Sequence, residues 1–263
     1  MKASDNPVIF VGAGPGDPGL VTVAGKEALE QADLVVTAGS LVNPEILAYK
    51  KEGCLVIDSA PLNLTEITDH LINGREAGRR VVRLHTGDPS VYGAIYEQFL
   101  ILAERKVPYR VIPGVSAAMA GAAALGLEYT LPEVTQSLII TRVQGRTPMP
   151  KGEDLESLAA HRASMALYLS AAEGGEVGRV LSAAYGPEAP VALLYRVSWK
   201  DQRIVWTTAA HLAKTLKEEK LVRHTLMLTG PAVAALKNRE NAPKSRLYAK
   251  EFSHAHRKGE SDG

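Results

Sequence analysis

Short apolar runs alternate with helix-length periodic stretches through the first half of the chain, and this alternation leaves few folds open. Val8-Ile9-Phe10-Val11 and the runs 33–37, 54–57, 80–84 and 109–112 are too short for helices and apolar enough for buried strands. Between them, 21–32, 64–77 and 91–103 carry helical spacing, with Leu64, Ile67, Leu71 and Ile72 on one face. Thr22 stands where an N-cap is expected. Repeated strand–helix order predicts a mostly parallel sheet with helices on both faces.

The second half changes character. Residues 116–125 are small and alanine-rich, which predicts a helix packed closely on a neighbour. Strands are expected at 137–141, 165–169, 191–195, 204–207 and 225–229, and helices at 177–184 and 209–217. The runs flanking Trp199-Lys200-Asp201-Gln202 read as a hairpin, so the second sheet should be mixed. The 263 residues suit two such halves. The expected organisation is α/β, with residues 1–118 forming a domain with a parallel sheet and residues 119–236 one with a mixed sheet. From Lys237 on there are seven Lys/Arg, four Asp/Glu and almost no apolar spacing, so 237–263 is expected to be a flexible tail.

Thirty basic residues against twenty-nine acidic ones argue against a nucleic-acid partner. A single cysteine, Cys54, excludes an internal disulfide and a cysteine metal cluster and fits a reducing, cytoplasmic setting. No apolar run approaches the roughly eighteen residues that span a bilayer. The polar lead into Val8 lacks the sections of a signal peptide.

Three glycine-containing loops follow predicted strands. Gly12-Ala13-Gly14-Pro15-Gly16-Asp17-Pro18-Gly19 looks at first like a dinucleotide fingerprint, but the third glycine of that pattern would fall at Asp17. Pro15 and Pro18 also remove two amide donors. His85-Thr86-Gly87-Asp88-Pro89-Ser90-Val91-Tyr92-Gly93 opens a predicted helix, where Asp88-Pro89 reads as a cap and first helical residue. Pro113-Gly114-Val115-Ser116-Ala117 does the same, with Ser116 as cap. Three such loops at strand carboxyl ends together mark one ligand crevice.

These loops, in this order and spacing, resemble the tetrapyrrole methylase family, over Val8 to about Val233. Ala38-Gly39-Ser40-Leu41-Val42 and Thr141-Arg142-Val143-Gln144-Gly145-Arg146-Thr147-Pro148 resemble segments of the branch acting on precorrin-4. The acidic residue that uroporphyrinogen methylases carry after the second strand is absent. The resemblance implies two α/β domains with the active site in the interdomain cleft, a homodimer, and methyl transfer from S-adenosylmethionine to carbon 11 of precorrin-4 or cobalt-precorrin-4. It implies cofactor contacts from Pro15, Thr86, Gly87, Asp88, Val91, Ser116 and Ala117, with Leu169, Val197 and Ala232 bordering the adenine. It implies substrate contacts from Gly14, Ser40, Arg142 and Arg146, and neither a membrane nor a nucleic acid as partner.

Such a transfer asks chiefly for alignment, with reacting atoms about 3–3.5 Å apart, so no obligatory nucleophile or resident metal is expected. His85 is the tempting acid–base residue, but a strand-end histidine more often packs than reacts. Guanidinium forks suit a polycarboxylate rim, which favours Arg142 and Arg146; solvated surface charge is the plain alternative. Rival readings are a methylase of this fold on another tetrapyrrole, on RNA or on a protein histidine, a nicotinamide-dependent oxidoreductase, and a non-catalytic tetrapyrrole-binding protein.

Overall fold

The computed structural model describes residues 6–145, 147–238, 245, 252–253 and 255–258. Arg146, the Ser40 side chain and most of the expected tail lie outside the described residues. The chain divides into two compact units, one of residues 1–120 with 196–202, the other of 121–195 with 203–263.

The first unit carries β1 (Val8–Gly12), β2 (Leu34–Thr37), β3 (Leu55–Asp58), β4 (Val81–His85) and β5 (Tyr109–Ile112). All pairings are parallel, in the order β3-β2-β4-β1-β5. Alternate side chains serve opposite faces. Val11, Val35, Val82 and Leu84 pack against Ala28 and Leu29 of α1 (Val23–Gln31). Val8, Phe10, Leu34, Val36 and Val81 pack against α2 (Leu64–Glu76) and α3 (Tyr96–Glu104) through Leu71, Ile72 and Leu102. Thr22 caps α1, accepting from the Gly25 amide at 3.1 Å. Asn63 and Glu66 close a capping box on α2.

One expectation fails here. The helix expected from residue 91 begins only at Tyr96, because Gly87, Tyr92 and Ala94 take left-handed φ values of 60°, 56° and 48°. A right-handed helix cannot pass through such residues, so Asp88-Pro89 is not a helix start.

The second unit carries β6 (Leu138–Arg142), β7 (Ser164–Tyr168), β8 (Pro190–Tyr195), β9 (Arg203–Thr208) and β10 (Thr225–Thr229), in the order β6-β7-β10-β8-β9. Only β6 and β7 run parallel, so the sheet is mixed, and β8–β9 is the expected hairpin. The alanine-rich helix α4 (Ala117–Leu125) runs through the division between the units. A Cβ at its Gly121 would lie 3.1 Å from Leu226 and 3.3 Å from Leu194 and Leu228, which is why small residues stand there. Helices α5 (Leu155–Ala159), α6 (Gly174–Tyr185), α7 (Leu212–Glu218) and α8 (Pro231–Asn238) complete the unit. α5 and α8 were not expected; α5 has five residues, too few to show a period.

Candidate functional site

Because β2, β4, β1 and β5 are parallel neighbours, their carboxyl ends share one edge and the loops that leave them must meet there. The backbone shows how closely. Gly14 and Gly87 pair as an isolated bridge, the Gly87 amide donating to Gly14 O at 2.7 Å and the Gly14 amide to Gly87 O at 3.2 Å. The Ala13 amide donates to His85 O at 2.7 Å. A Cβ on Gly12 would sit 2.5 Å from the Gly114 nitrogen and 2.7 Å from Gly87 O. All three expected loops thus touch through backbone where side chains would stand.

Asp88 ties the junction. Its Oδ2 accepts from the Gly114 amide at 2.9 Å, and its Oδ1 accepts from the Ser90 amide at 2.8 Å and from the Ser90 hydroxyl. Desolvation pulls its carboxyl upward, but the donors from Ser90 and Gly114 together outweigh it and hold the pKa below the usual carboxylate range. The carboxylate therefore joins two loops instead of capping a helix. Ser116 stands just ahead of α4, and its carbonyl accepts from Met119 and Ala120. Thr86 is exposed, Gly87, Val91, Ser116 and Ala117 are half-buried, and Gly14 and Pro15 are buried.

The first loop is not a phosphate cradle. The amides of Ala13, Gly14, Asp17, Gly19 and Leu20 all donate to protein acceptors, and Pro15 and Pro18 have none. That removes the pyrophosphate site a nicotinamide enzyme would need.

His85 is buried on the Phe10 side of the sheet, its ring 5.9 Å from that of Phe10, and among the described residues its Nε2 has no partner. Burial, with a smaller push from Arg83, lowers its pKa to about 3. Burial of this kind favours the neutral imidazole. We expect its NMR titration to show no protonation between pH 5 and 8; a midpoint near 6.5 would refute this burial. Burial likewise lowers the pKa of Arg83 to about 10; its guanidinium donates to Gln98 Oε1 at 3.3 Å and Val36 O at 3.2 Å.

In the second unit Arg142 ends β6 in register with Tyr168 of β7, so Arg142 and Leu169 leave the sheet at the same edge. Leu169 is 72% exposed with φ of 53°, an uncommon state for a large apolar residue. Arg142 donates to the carbonyls of Val143 (3.2 Å), Thr147 (3.2 Å) and Pro148 (2.9 Å), so it braces the segment in which Arg146 lies. Ala232 does not join them. β10 is antiparallel to β7, and Ala232 follows its far end, with its amide on Ser164 Oγ at 3.3 Å. The five residues of β7 separate it from Leu169 by roughly 16 Å at strand rise. Ala232 and Leu169 thus stand at opposite edges of their sheet. Val197 is buried in the 196–202 turn, and Gly39 and Ser40 lie in a single 3-10 turn following β2.

Among the described residues no group of His, Cys, Asp and Glu is placed to hold a metal, and no helix is long and apolar enough to cross a membrane.

The profile of the family described as Tetrapyrrole (Corrin/Porphyrin) Methylases matches residues 7–213. The chain belongs to the tetrapyrrole methylases. A cobalt-precorrin-4 C(11)-methyltransferase of Methanocaldococcus jannaschii is 44% identical over 95% of this chain and 96% of its own. A precorrin-4 C(11)-methyltransferase of Pseudomonas aeruginosa is 43% identical over 96% of this chain and 99% of its own. Among solved structures, a cobalt precorrin-4 methyltransferase of cobalamin biosynthesis superposes with TM-score 0.85 at 38% identity, covering 89% of this chain and 98% of that one. A uroporphyrin-III C-methyltransferase from Thermus thermophilus, complexed with S-adenosylhomocysteine, gives 0.71 at 26% identity, covering 86% and 93%. The two-domain α/β architecture is that of this tetrapyrrole methylase family.

Sequence reasoning missed the residues that hold the first loop from outside. Asn43 Nδ2 donates to Gly16 O at 2.8 Å and Trp199 Nε1 to Pro15 O at 2.9 Å. Partners 27 and 184 residues apart leave no local signal.

Proposed function

We propose that this chain transfers the methyl group of S-adenosylmethionine to carbon 11 of precorrin-4 or its cobalt form. The observation that carries this is the convergence of the Gly14, Gly87–Asp88 and Gly114–Ser116 loops at one sheet edge, in a chain so similar to two enzymes named for that reaction. The edge fits the cofactor: a Cβ on Gly87 would meet nothing nearer than 4.0 Å, so its face is open beside exposed Thr86.

S-adenosylmethionine supplies an electrophilic methyl on a sulfonium. Thr86, Gly87, Val91, Ser116 and Ala117 offer the polar and close-approach surface for its methionine and ribose parts, with Pro15 and Val197 beside them. Asp88 serves them by fixing the junction. Leu169, exposed and left-handed, is kept as an adenine contact. The protein's task is to hold sulfonium, methyl and ring carbon in line, which accounts for most of what a reaction between two good partners needs. No step is assigned to His85, whose buried ring stays neutral.

The substrate is a polycarboxylate macrocycle, whether or not it carries cobalt. Gly14, Ser40 and the 142–148 segment are proposed to meet it, with Arg146 as a fork on a peripheral carboxylate and Arg142 as the brace of its loop. Arg142→Ala and Arg146→Ala should each lower productive substrate binding about 10- to 150-fold and leave S-adenosylhomocysteine affinity unchanged. Normal turnover in both variants would remove both from substrate binding and leave Arg142 as a brace of its loop alone. A cytoplasmic homodimer is part of the proposal, and sedimentation at micromolar concentration checks its mass.

The decisive experiment is incubation with methyl-labelled S-adenosylmethionine and precorrin-4, cobalt-precorrin-4 or uroporphyrinogen, followed by locating the label. Label on carbon 11 supports the reading. Label elsewhere, or only on uroporphyrinogen, gives another branch of the family. Binding without transfer of label gives a non-catalytic tetrapyrrole-binding protein.

A further inference from the structure

The turn 196–202 is built in an unusual way and is seated on the first loop. Arg196 and Ser198 both take left-handed φ, at 47° and 66°, conformations that cost energy in residues with side chains. Two neighbouring residues of this turn engage three consecutive residues of the loop. Trp199 Nε1 donates to Pro15 O at 2.9 Å, and Ser198 Oγ accepts from the Asp17 amide at 2.9 Å. Between them the indole lies against Gly16 so closely that a Cβ there would stand 2.9 Å from Trp199 Cγ and nearer still to its neighbours. The ring is also held by Arg196, whose guanidinium lies over it 4.9 Å from its centroid and pairs with Asp201 at 2.7 Å. Lys200 pairs with Glu45 at 2.6 Å, and Glu45 lies two residues after Asn43, whose Nδ2 donates to Gly16 O.

We infer that Trp199 is a positioning residue for methyl transfer, fixing the backbone of Pro15, Gly16 and Asp17 so that Gly14 and Pro15 present a single surface to the ligands. The inference rests on the reading above that this loop faces them. Four glycines leave this loop backbone freedom that its two prolines and its pairing with Gly87 only partly remove. Its last free variables are removed by the indole N–H and the ring face together. A change of about 1 Å in such a loop disturbs the alignment of reacting atoms more than the holding of either ligand.

The test compares parent, Trp199→Phe and Trp199→Ala protein at 25 °C, well below melting. It measures kcat and KM with labelled S-adenosylmethionine and precorrin-4, S-adenosylhomocysteine affinity by calorimetry, and melting temperature. Trp199→Ala should lose about 100-fold in kcat, as expected for misaligned reactants, with S-adenosylhomocysteine affinity within about threefold of the parent. Trp199→Phe, which keeps a ring over Gly16 without the N–H donor, should recover part of the loss, to about 10-fold below the parent. A lower melting temperature with unchanged kcat would overturn the inference and leave a structural prop, while the functional reading stood. If the alanine variant fails to fold, the phenylalanine variant decides on the same criterion. A parent that binds no S-adenosylhomocysteine and transfers no label removes the functional reading and the inference with it.

Discussion

Gly114→Ala should cost about 3 kcal/mol or more of stability, because the added methyl meets backbone that has no room to yield. Its Cβ would lie 2.8 Å from Gly12 Cα and 2.9 Å from Gly12 C, and closer than either to Gly87 O. A flexible side chain in that position would swing away. Here the obstacles are two other loops, each held at the carboxyl end of a core strand and bonded to the other through the Gly14–Gly87 pair. Relief therefore requires β1, β4 and β5 to part at that edge, and the Asp88–Gly114 bond to break. The expected result is a melting temperature lower by roughly 10 °C, with S-adenosylhomocysteine binding reduced in whatever fraction stays folded. Gly145→Ala is the control, since a Cβ there meets nothing within 4 Å; it should change stability by less than about 0.5 kcal/mol. Coincident melting of parent and Gly114→Ala protein would show that the loops give way freely, and the junction could not then be a fixed platform.

The parallel sheet of the first unit was legible because its strands are continuous apolar runs separated by turn-rich loops, and the mixed second sheet because the turn around Trp199 sits between two such runs. The convergence of the three loops was legible for a related reason: Gly12, Gly87 and Gly114 stand one to three residues after Val11, Leu84 and Ile112 and mark carboxyl ends, and parallel strands bring carboxyl ends together. What local pattern could not show was how the loops are used. Asp88-Pro89 has the composition of a helix start, yet Tyr92 and Ala94 bend the chain left-handed and postpone α3 to Tyr96. Ala232 follows a strand and opens a helix, as Ser116 and Ala117 do, but the direction of β10 carries it to the edge of its sheet opposite Leu169. Strand direction is decided by pairing between distant segments, which no residue window contains. The bracing of its own segment by Arg142, which donates to three carbonyls there, is likewise a contact that composition does not reveal.

Asp88→Asn should weaken S-adenosylhomocysteine binding by about 10- to 30-fold and destabilise the fold by about 1.5–2 kcal/mol, the lower part of the range for a hydrogen bond to a charged group. The substitution is nearly isosteric, so packing is not the cause. Both carboxylate oxygens accept from N–H groups, Oδ1 from Ser90 and Oδ2 from Gly114. A carboxamide has one oxygen, so in either flip its NH2 faces another donor, and one amide of the junction loses its acceptor. If the Gly114 amide is the one abandoned, the 113–117 loop is released from the 86–91 loop, and Ser116 and Ala117 no longer face Thr86 and Gly87 in one arrangement. The acid profile gives an independent check. The folded pKa of Asp88 lies below the ordinary value, so its contribution is complete above about pH 4 and is lost as pH falls through the depressed folded value. The asparagine variant has no such contribution to lose. Burial of neutral His85 also weakens the fold as pH drops below about 6.5, but parent and variant share it and it cancels in the difference. Urea unfolding of both proteins from pH 7 to pH 3 should therefore show a constant gap that closes only below pH 4. A gap that closes nearer pH 6, or no gap at any pH with unchanged ligand affinity, would mean that the junction is held by its glycines alone and that the carboxylate is incidental to it.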